Sequence, residues 1–85
     1  MEKYTIVDVR TPGEFFGGNV TGSINIPLQE VVEREAEIMA LQQPVLFCCA
    51  SGGRSGQATQ YFKSKGLNCV NGGGWMEVNG NLDKY

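Results

Sequence analysis

The sequence predicts an α/β fold: a small, mostly parallel β-sheet flanked by helices on both faces. Short apolar runs rich in Val, Ile and Phe are typical of strands, and segments with helical periodicity lie between them. Strands that alternate with helices favour parallel pairing with helices on both faces of the sheet. The chain has 85 residues, of which 41% are hydrophobic and 19% charged. We therefore expect one globular domain over residues 1–85.

Four strands are predicted, each short and bounded by turn residues. The third is nearly continuous in apolar character, as a strand covered on both faces would be, so it is expected at the centre of the sheet. The predicted strands are residues 5–9, 23–26, 45–49 and 68–71.

The first predicted helix follows the first strand. Thr11 is its expected N-cap, Pro12 occupies the first helical position, and Glu14 stands where a capping box requires an acidic residue. The second is predicted over residues 28–43, with apolar side chains on one face. Its solvated face is expected to carry Glu30, Glu33, Glu35 and Glu37.

The third predicted helix begins near Arg54 or Ser55 and closes at Gly66, a suitable residue for the position after a helix. Beyond the fourth strand, the consecutive glycines of residues 71–75 predict a tight turn. A short helical turn and a loose tail are expected to complete the chain.

Composition narrows the classes of function. The net charge of −2 argues against nucleic-acid binding, and no apolar run approaches the ~20 residues of a spanning helix, so no membrane partner is expected. An odd number of cysteines, three, in a chain whose N-terminus shows no signal-peptide pattern favours free thiols in a reducing, cytoplasmic setting. The chain contains no histidine. No metal site or cofactor is predicted. A nucleophile in this chain needs activation by something other than an imidazole.

The stretch FCCASGGRSG, residues 47–56, contains two overlapping signatures. Four residues separate Cys49 from Arg54, whereas five separate Cys48 from the same arginine. A glycine-containing loop between a strand and a helix N-terminus can aim several N–H groups at an anion. Such surroundings lower a cysteine pKa and stabilise a nucleophilic thiolate.

Several motifs, in order along nearly the whole chain, resemble those of the rhodanese family. IVDVRTPGEF is similar to that family's first strand and helix, and VTGSINIPL resembles its G-[AS]-x-N-I-P segment. CASGGRS resembles the active-site loop, and VNGGGW is similar to the family's glycine-rich turn and tryptophan. Asn19 stands where the family often has a histidine, at a position that the resemblance marks as structural.

The resemblance implies sulfur transfer from a small anionic donor, thiosulfate or a persulfide, to a thiol, cyanide or carrier-protein acceptor. It assigns Cys49 as the nucleophile that becomes a persulfide. It also implies that Arg54 contributes charge to the anion or holds the shape of the loop. The substrate-binding residues implied are Ala50, Ser51, Gly52, Gly53, Arg54 and Ser55.

Two other hypotheses stay open on the residues alone. The register from Cys48 to Arg54 is the spacing of cysteine phosphatases, so a phosphatase or arsenate reductase using Cys48 is the first alternative. A non-catalytic module that uses the loop as a docking surface is the second. The loop and the first helical turn after it contain no Asp or Glu to act as general acid, which favours Cys49.

The remaining chemically notable residues are assigned structural roles. Cys48 and Cys69 are predicted to be small apolar core residues, since free cysteine is among the most buried residue types. Asp8 and Arg10 are expected to form an ion pair or loop brace at the end of the first strand. Trp75 is expected to pack near the site.

Overall fold

A computed structural model describes residues 3–85, and its centre is a four-stranded sheet in which every pairing is parallel. The strand order is β2-β1-β3-β4. Because the strands are parallel, their carboxyl ends lie at one edge of the sheet, here called the carboxyl edge. The strands are β1 (Thr5–Asp8), β2 (Ile24–Asn25), β3 (Val45–Cys49) and β4 (Cys69–Gly74).

Helical segments connect the strands and complete the C-terminal part of the chain. Two short 3-10 turns, Leu28–Glu30 and Leu82–Lys84, accompany the α-helices. The α-helices are α1 (Pro12–Phe16), α2 (Glu35–Met39), α3 (Gly53–Ser64) and α4 (Trp75–Gly80).

Both faces of the sheet are covered, which confirms the predicted α/β architecture. All five residues of β3 are buried, as expected for the central strand. One face packs Phe47 on Phe62 of α3, with ring centroids 5.5 Å apart. The other face packs Leu46 with Val78 of α4. Side chains alternate across a strand, so β3 supplies both cores.

Helix α1 begins with the predicted capping box. The Glu14 amide donates to Thr11 Oγ1 at 3.3 Å, and the Thr11 amide donates to Glu14 Oε1 at 3.0 Å. Pro12 occupies the first turn, where its missing N–H costs nothing. Three local residues therefore determine where this five-residue helix starts.

The prediction of one helix over residues 28–43 is wrong, because the α-helix in this segment is much shorter. The segment forms a 3-10 turn, a run of turns, and then α2 at Glu35–Met39. Val31 and Ile38 are buried, but Val32 is 61% exposed. Sixteen helical residues would extend about 24 Å, whereas a five-residue strand spans about 17 Å. A shorter helix returns the chain to β3 without overrunning the sheet.

The acidic face expected on that segment is only partly solvated. Arg34 pairs with Glu30 and Glu37, with N–O distances of 3.0 Å in both cases. The Glu35 carboxylate accepts a hydrogen bond from the Tyr61 hydroxyl of α3. Glu33 is exposed. Glu35 thus helps to join α2 to α3.

The glycine run after the predicted fourth strand is not a separate turn, because β4 continues through it and α4 follows directly. Phe47 is paired with Asn71, but Cys48 is paired with Gly73, so Gly72 forms a bulge. A Cβ on Gly72 would lie 2.4 Å from Leu46 Cδ2. The missing side chain therefore allows this close approach.

The C-terminal residues are not the predicted loose tail. After α4 and the second 3-10 turn, the Tyr85 carbonyl accepts a hydrogen bond of 2.8 Å from the Tyr4 amide. The two tyrosine rings meet edge to face, with centroids 5.5 Å apart. The end of the chain therefore packs beside the start of β1. Within residues 3–85, no helix is both long and apolar enough to span a bilayer.

Candidate active site

Cys49 is the last residue of β3, at the carboxyl edge of the sheet. The chain then turns through Ala50, Ser51 and Gly52 and enters α3 at Gly53. Gly52 has φ +107°, a left-handed conformation that a residue with a Cβ rarely adopts. This turn directs the amides that follow Cys49 back toward its sulfur.

The Cys49 sulfur lies within a cluster of hydrogen-bond donors. The amide of Gly52 lies 3.0 Å from Sγ and the amide of Ser55 3.4 Å from it. The Ser55 hydroxyl oxygen is also 3.4 Å from Sγ. Ser55 is fully buried, and Cys49 is 1% exposed. The predicted loop therefore does curl around the sulfur.

The donor cluster changes the acidity of Cys49. Burial by itself raises its pKa, but the contact with the Ser55 hydroxyl and the hydrogen bonds from the amides of Ser55, Gly52 and Ser51 outweigh that effect and lower the pKa to about 7. A large fraction of the thiol is thus ionised near neutral pH. No histidine contributes to this activation.

Cys48 has the opposite surroundings. Its side chain is fully buried in the core formed with Leu46 and Val78, on the other face of the sheet. Burial, and then the negative charge of Asp8, raise its pKa to about 12. Cys69 is buried too, and burial raises its pKa. Both residues lie in the core, as predicted.

Arg54 lies next to the loop around Cys49, but its guanidinium contacts Glu14 of α1. Nη1 lies 2.7 Å from Glu14 Oε1, and Nη2 lies 3.0 Å from Oε2. The Arg54 hydrogen bonds, and then the Thr11 amide, lower the Glu14 pKa to about 2. The fold therefore brings to the loop a carboxylate that lies 40 positions earlier in the chain.

The sequence predicts Glu14 only as a capping residue, and Glu14 does cap α1. The same carboxylate binds Thr11 and Arg54, so the capping box also positions a counterion for the loop. The capping pattern was a signal for Glu14, but it carried no information on a partner in α3.

Asn71 of β4 is a second residue that the sequence did not single out. Its Oδ1 accepts from the Ser55 hydroxyl at 2.6 Å and from the Gly73 amide at 3.0 Å. Its Nδ2 donates to the Gly52 carbonyl at 3.1 Å. Asn71 thus holds both ends of the curl around Cys49. No motif in the sequence points to this role.

Comparison with known proteins identifies the family of this chain. The sequence model of the rhodanese-like domain family matches residues 1–81. The chain belongs to the rhodanese-like domain family. A solved rhodanese with anions from E. coli superimposes with a TM-score of 0.79 at 35% identity, covering 88% of this chain and 91% of that one.

Curated relatives of this rhodanese-like domain have different names. Protein YqhL of Bacillus subtilis is 41% identical over 64 residues, which are 75% of this chain and 50% of YqhL. The thiosulfate sulfurtransferase PspE of Escherichia coli is 38% identical over 74 residues, 85% of this chain and 71% of PspE. M-phase inducer phosphatase 2 of Mus musculus is 44% identical over 48 residues, 56% of this chain and 8% of the phosphatase. The chain thus spans half of YqhL and a small part of the phosphatase.

Two further groups support the carboxyl edge of the rhodanese-like sheet. Buried Arg10 pairs with buried Asp8 at 2.7 Å, and its guanidinium carbon lies 4.8 Å from the Trp75 ring centroid. The Arg10 guanidinium also donates to the Gly18 carbonyl at 2.7 Å. These contacts form the predicted brace, and Trp75 packs beside it. Among residues 3–85, no cluster of three or more His, Cys, Asp or Glu side chains could hold a metal ion.

Proposed function

We propose that this rhodanese-like domain is a sulfurtransferase in which Cys49 is the nucleophile. The observation that carries the proposal is the set of contacts to Cys49 Sγ, from the Gly52 amide, the Ser55 amide and the Ser55 hydroxyl. A pKa of about 7 supplies thiolate at neutral pH. We take residues 1–85 to act as one domain in a reducing, cytoplasmic setting.

The first step loads sulfur onto Cys49. The thiolate attacks the outer sulfur of thiosulfate, or the terminal sulfur of a persulfide, and a new S–S bond forms. The donor's own S–S bond breaks, and its electron pair leaves with sulfite or with the donor thiolate. No general acid is required, because these leaving groups are stable as anions.

The second step returns the enzyme to its starting state. A thiolate, cyanide or carrier-protein thiol attacks the outer sulfur of the Cys49 persulfide. The S–S bond to Cys49 breaks, and its electron pair restores the Cys49 thiolate. The outer sulfur leaves bonded to the acceptor.

The loop residues are proposed to bind the anionic donor and the persulfide. A ring of backbone amides stabilises negative charge without moving during the reaction, because the fold has already oriented them. In this proposal Arg54 holds the shape of the loop through its contact with Glu14. The proposed binding residues are Ala50, Ser51, Gly52, Gly53, Arg54 and Ser55.

A phosphatase that uses Cys48 is the alternative suggested by one relative's name. The surroundings of Cys48 favour it less, because a fully buried thiol with a pKa of about 12 supplies almost no thiolate. Glu14, which binds Arg54 beside the loop, has a pKa of about 2 and is a poor proton donor at neutral pH. Hydrolysis of an aryl phosphate that disappears in Cys48→Ala would support this alternative.

Intact-protein mass spectrometry after incubation with thiosulfate tests the sulfurtransferase. We expect one added sulfur atom, mapped to Cys49 and lost on adding cyanide. Cys49→Ser should remain unmodified, whereas the matched variants Cys48→Ala and Cys69→Ala should acquire the sulfur. Sulfur on Cys48 or Cys69 in Cys49→Ser would contradict the assignment. A Cys49 that accepts sulfur from neither thiosulfate nor a persulfide would favour a non-catalytic module.

A further inference from the structure

The charges at the carboxyl edge bear on which sulfur donor the site accepts. Arg54 is the cation next to the Cys49 loop, and both of its terminal nitrogens bind Glu14, at 2.7 and 3.0 Å. The pair is half-buried, with side chains 36% and 37% exposed. The positive charge of Arg54 is therefore already balanced before any donor arrives.

Glu14 is held in place from its own side of the contact. Thr11 donates to Glu14 Oε1 from its amide at 3.0 Å and from its hydroxyl at 3.1 Å. These bonds belong to the capping box of α1, so the carboxylate does not depend on Arg54 for its position. A donor anion would have to compete with a prepositioned carboxylate for Arg54.

The other cations in residues 3–85 are paired or lie away from the loop. Arg10 is bound to Asp8, and Arg34 is bound to Glu30 and Glu37. Lys63 lies at the far end of α3 from Cys49, and Lys65 follows it. Lys3 precedes β1, and Lys84 is next to Tyr85, which contacts Tyr4 at the start of β1. All four lysines are thus remote from the carboxyl edge.

A second carboxylate lies near the mouth of the loop. A Cβ placed on Gly74 would be 3.0 Å from the Ala50 carbonyl oxygen and 3.6 Å from Glu77 Oε1. Glu77 is exposed in the first turn of α4. The amides of the loop therefore attract an anion, but the side chains around them add no net positive charge.

We propose that Glu14 is a specificity-determining residue that makes the site prefer singly charged organic persulfides over the doubly charged thiosulfate. Amide donors suffice for one negative charge at the reacting sulfur. The sulfonate end of thiosulfate would need a free cation, and Glu14 withholds Arg54 from it. The proposal rests on the sulfur-transfer function proposed above.

The experiment measures the rate of sulfur loading on Cys49 by rapid quenching and intact-protein mass spectrometry. Thiosulfate and the persulfide of 2-mercaptoethanol are the two donors, and the readout is the ratio of their rates. Glu14→Gln removes the negative charge but keeps a residue that a capping box accepts. We expect it to raise the thiosulfate-to-persulfide ratio by about five-fold, since it frees the charge of a half-exposed ion pair.

Two further variants separate charge from structure. Arg54→Gln leaves Glu14 unbalanced and should lower the ratio, whereas Glu14→Gln combined with Arg54→Gln should restore it to the wild-type value. Thr11→Ala removes the cap hydroxyl without changing any charge and should leave the ratio unchanged. A merely structural contact would alter both donors' rates by the same factor. An unchanged ratio in Glu14→Gln would therefore overturn the proposal.

The wild-type protein provides a test that needs no variant. Because the edge has no net positive charge, the thiosulfate loading rate should be flat or rise as salt is added. A steep fall with salt would contradict the proposal. Absence of loading by either donor would instead reject sulfur transfer itself, so the two failures are distinguishable.

Discussion

Cys48 and Cys49 are neighbours in the chain with almost the same burial, 0% and 1% exposed, yet their acidities diverge. The pKa of Cys48 is raised to about 12, and that of Cys49 is lowered to about 7. The pleat of β3 directs one sulfur into the core with Leu46 and Val78, and the other toward the start of α3.

This contrast separates the effect of burial on a thiol pKa from the effect of hydrogen-bond donors. Removal from water raises the pKa of both thiols, because the charged form loses its hydration. Only Cys49 meets donors that replace the lost water, from Gly52 and Ser55. The hydrogen bonds, and not exposure, therefore make the difference between a core residue and a candidate nucleophile.

The largest expected effect is a difference in alkylation rate between the two cysteines. In the native protein at pH 7, iodoacetamide should modify Cys49 at least about 1,000-fold faster than Cys48, because the thiolate is the reactive form. The Cys49 rate should rise with pH, with a midpoint near pH 7, and level off above about pH 8. Mass mapping of the labelled sites measures both.

In denaturant the two cysteines should react at similar rates, which is the control for intrinsic reactivity. If Cys48 is labelled first in the native protein, or if the Cys49 profile has its midpoint near the ordinary thiol value, the contrast is wrong.

Ser55→Ala should move Cys49 toward the behaviour of Cys48. It removes the hydroxyl 3.4 Å from Sγ, together with that hydroxyl's 2.6 Å bond to Asn71, and leaves the Ser55 amide in place. We expect the pKa of Cys49 to rise by about one unit and its alkylation at pH 7 to slow several-fold. The pH profile of alkylation measures the shift.

Thr59→Val is the matched control for Ser55→Ala. It removes a hydroxyl from the same helix, bonded at 2.8 Å to the Ser55 carbonyl and not to sulfur. An equal shift in both variants would mean that the Ser55 hydroxyl has no specific effect on Cys49.

Cys48→Ala should affect stability and not Cys49 chemistry. Removing a fully buried sulfur leaves a small cavity, which is expected to lower the free energy of unfolding by about 1 kcal/mol. Urea unfolding measures this loss. The Cys49 alkylation midpoint should be unchanged, and a large shift would show that the two faces of β3 are coupled.

The smallest effect concerns the pairing of Glu14 with Arg54. The folded protein lowers the Glu14 pKa from 4.5 to about 2, so the pair's contribution to stability is present above pH 4.5 and is lost as pH falls toward 2. The melting temperature of the wild type should exceed that of Glu14→Gln at pH 7. The difference should shrink between pH 4.5 and 2, and a constant difference would argue against the charge pairing.

Local patterns predicted the features that depend on nearby residues. The capping box of Thr11 and Glu14 begins α1 where expected, and Gly66, with φ +90°, follows α3. The apolar continuity of residues 45–49 correctly indicated a central strand. For the capping box and for the end of α3, the interacting groups lie within a few positions of one another.

Predictions failed where the dimensions of the sheet limit the length of an element. Periodicity over residues 28–43 favours one long helix, but the strands are short, and the segment folds into a 3-10 turn and a short helix instead. The glycines of residues 71–74 read as a turn, yet they extend β4, because Gly72 must pass close to Leu46. A local sequence pattern carries no information about packing against a distant element.

The sequence by itself determined the strand and helix order, the loop that follows Cys49, and the lack of a histidine to activate it. Only the tertiary structure decided that Glu14 binds Arg54 and that Asn71 holds the ends of the loop. The reason is the strand order, which places β1 and β4 on either side of β3. Residues far apart in the chain therefore meet at the loop around Cys49.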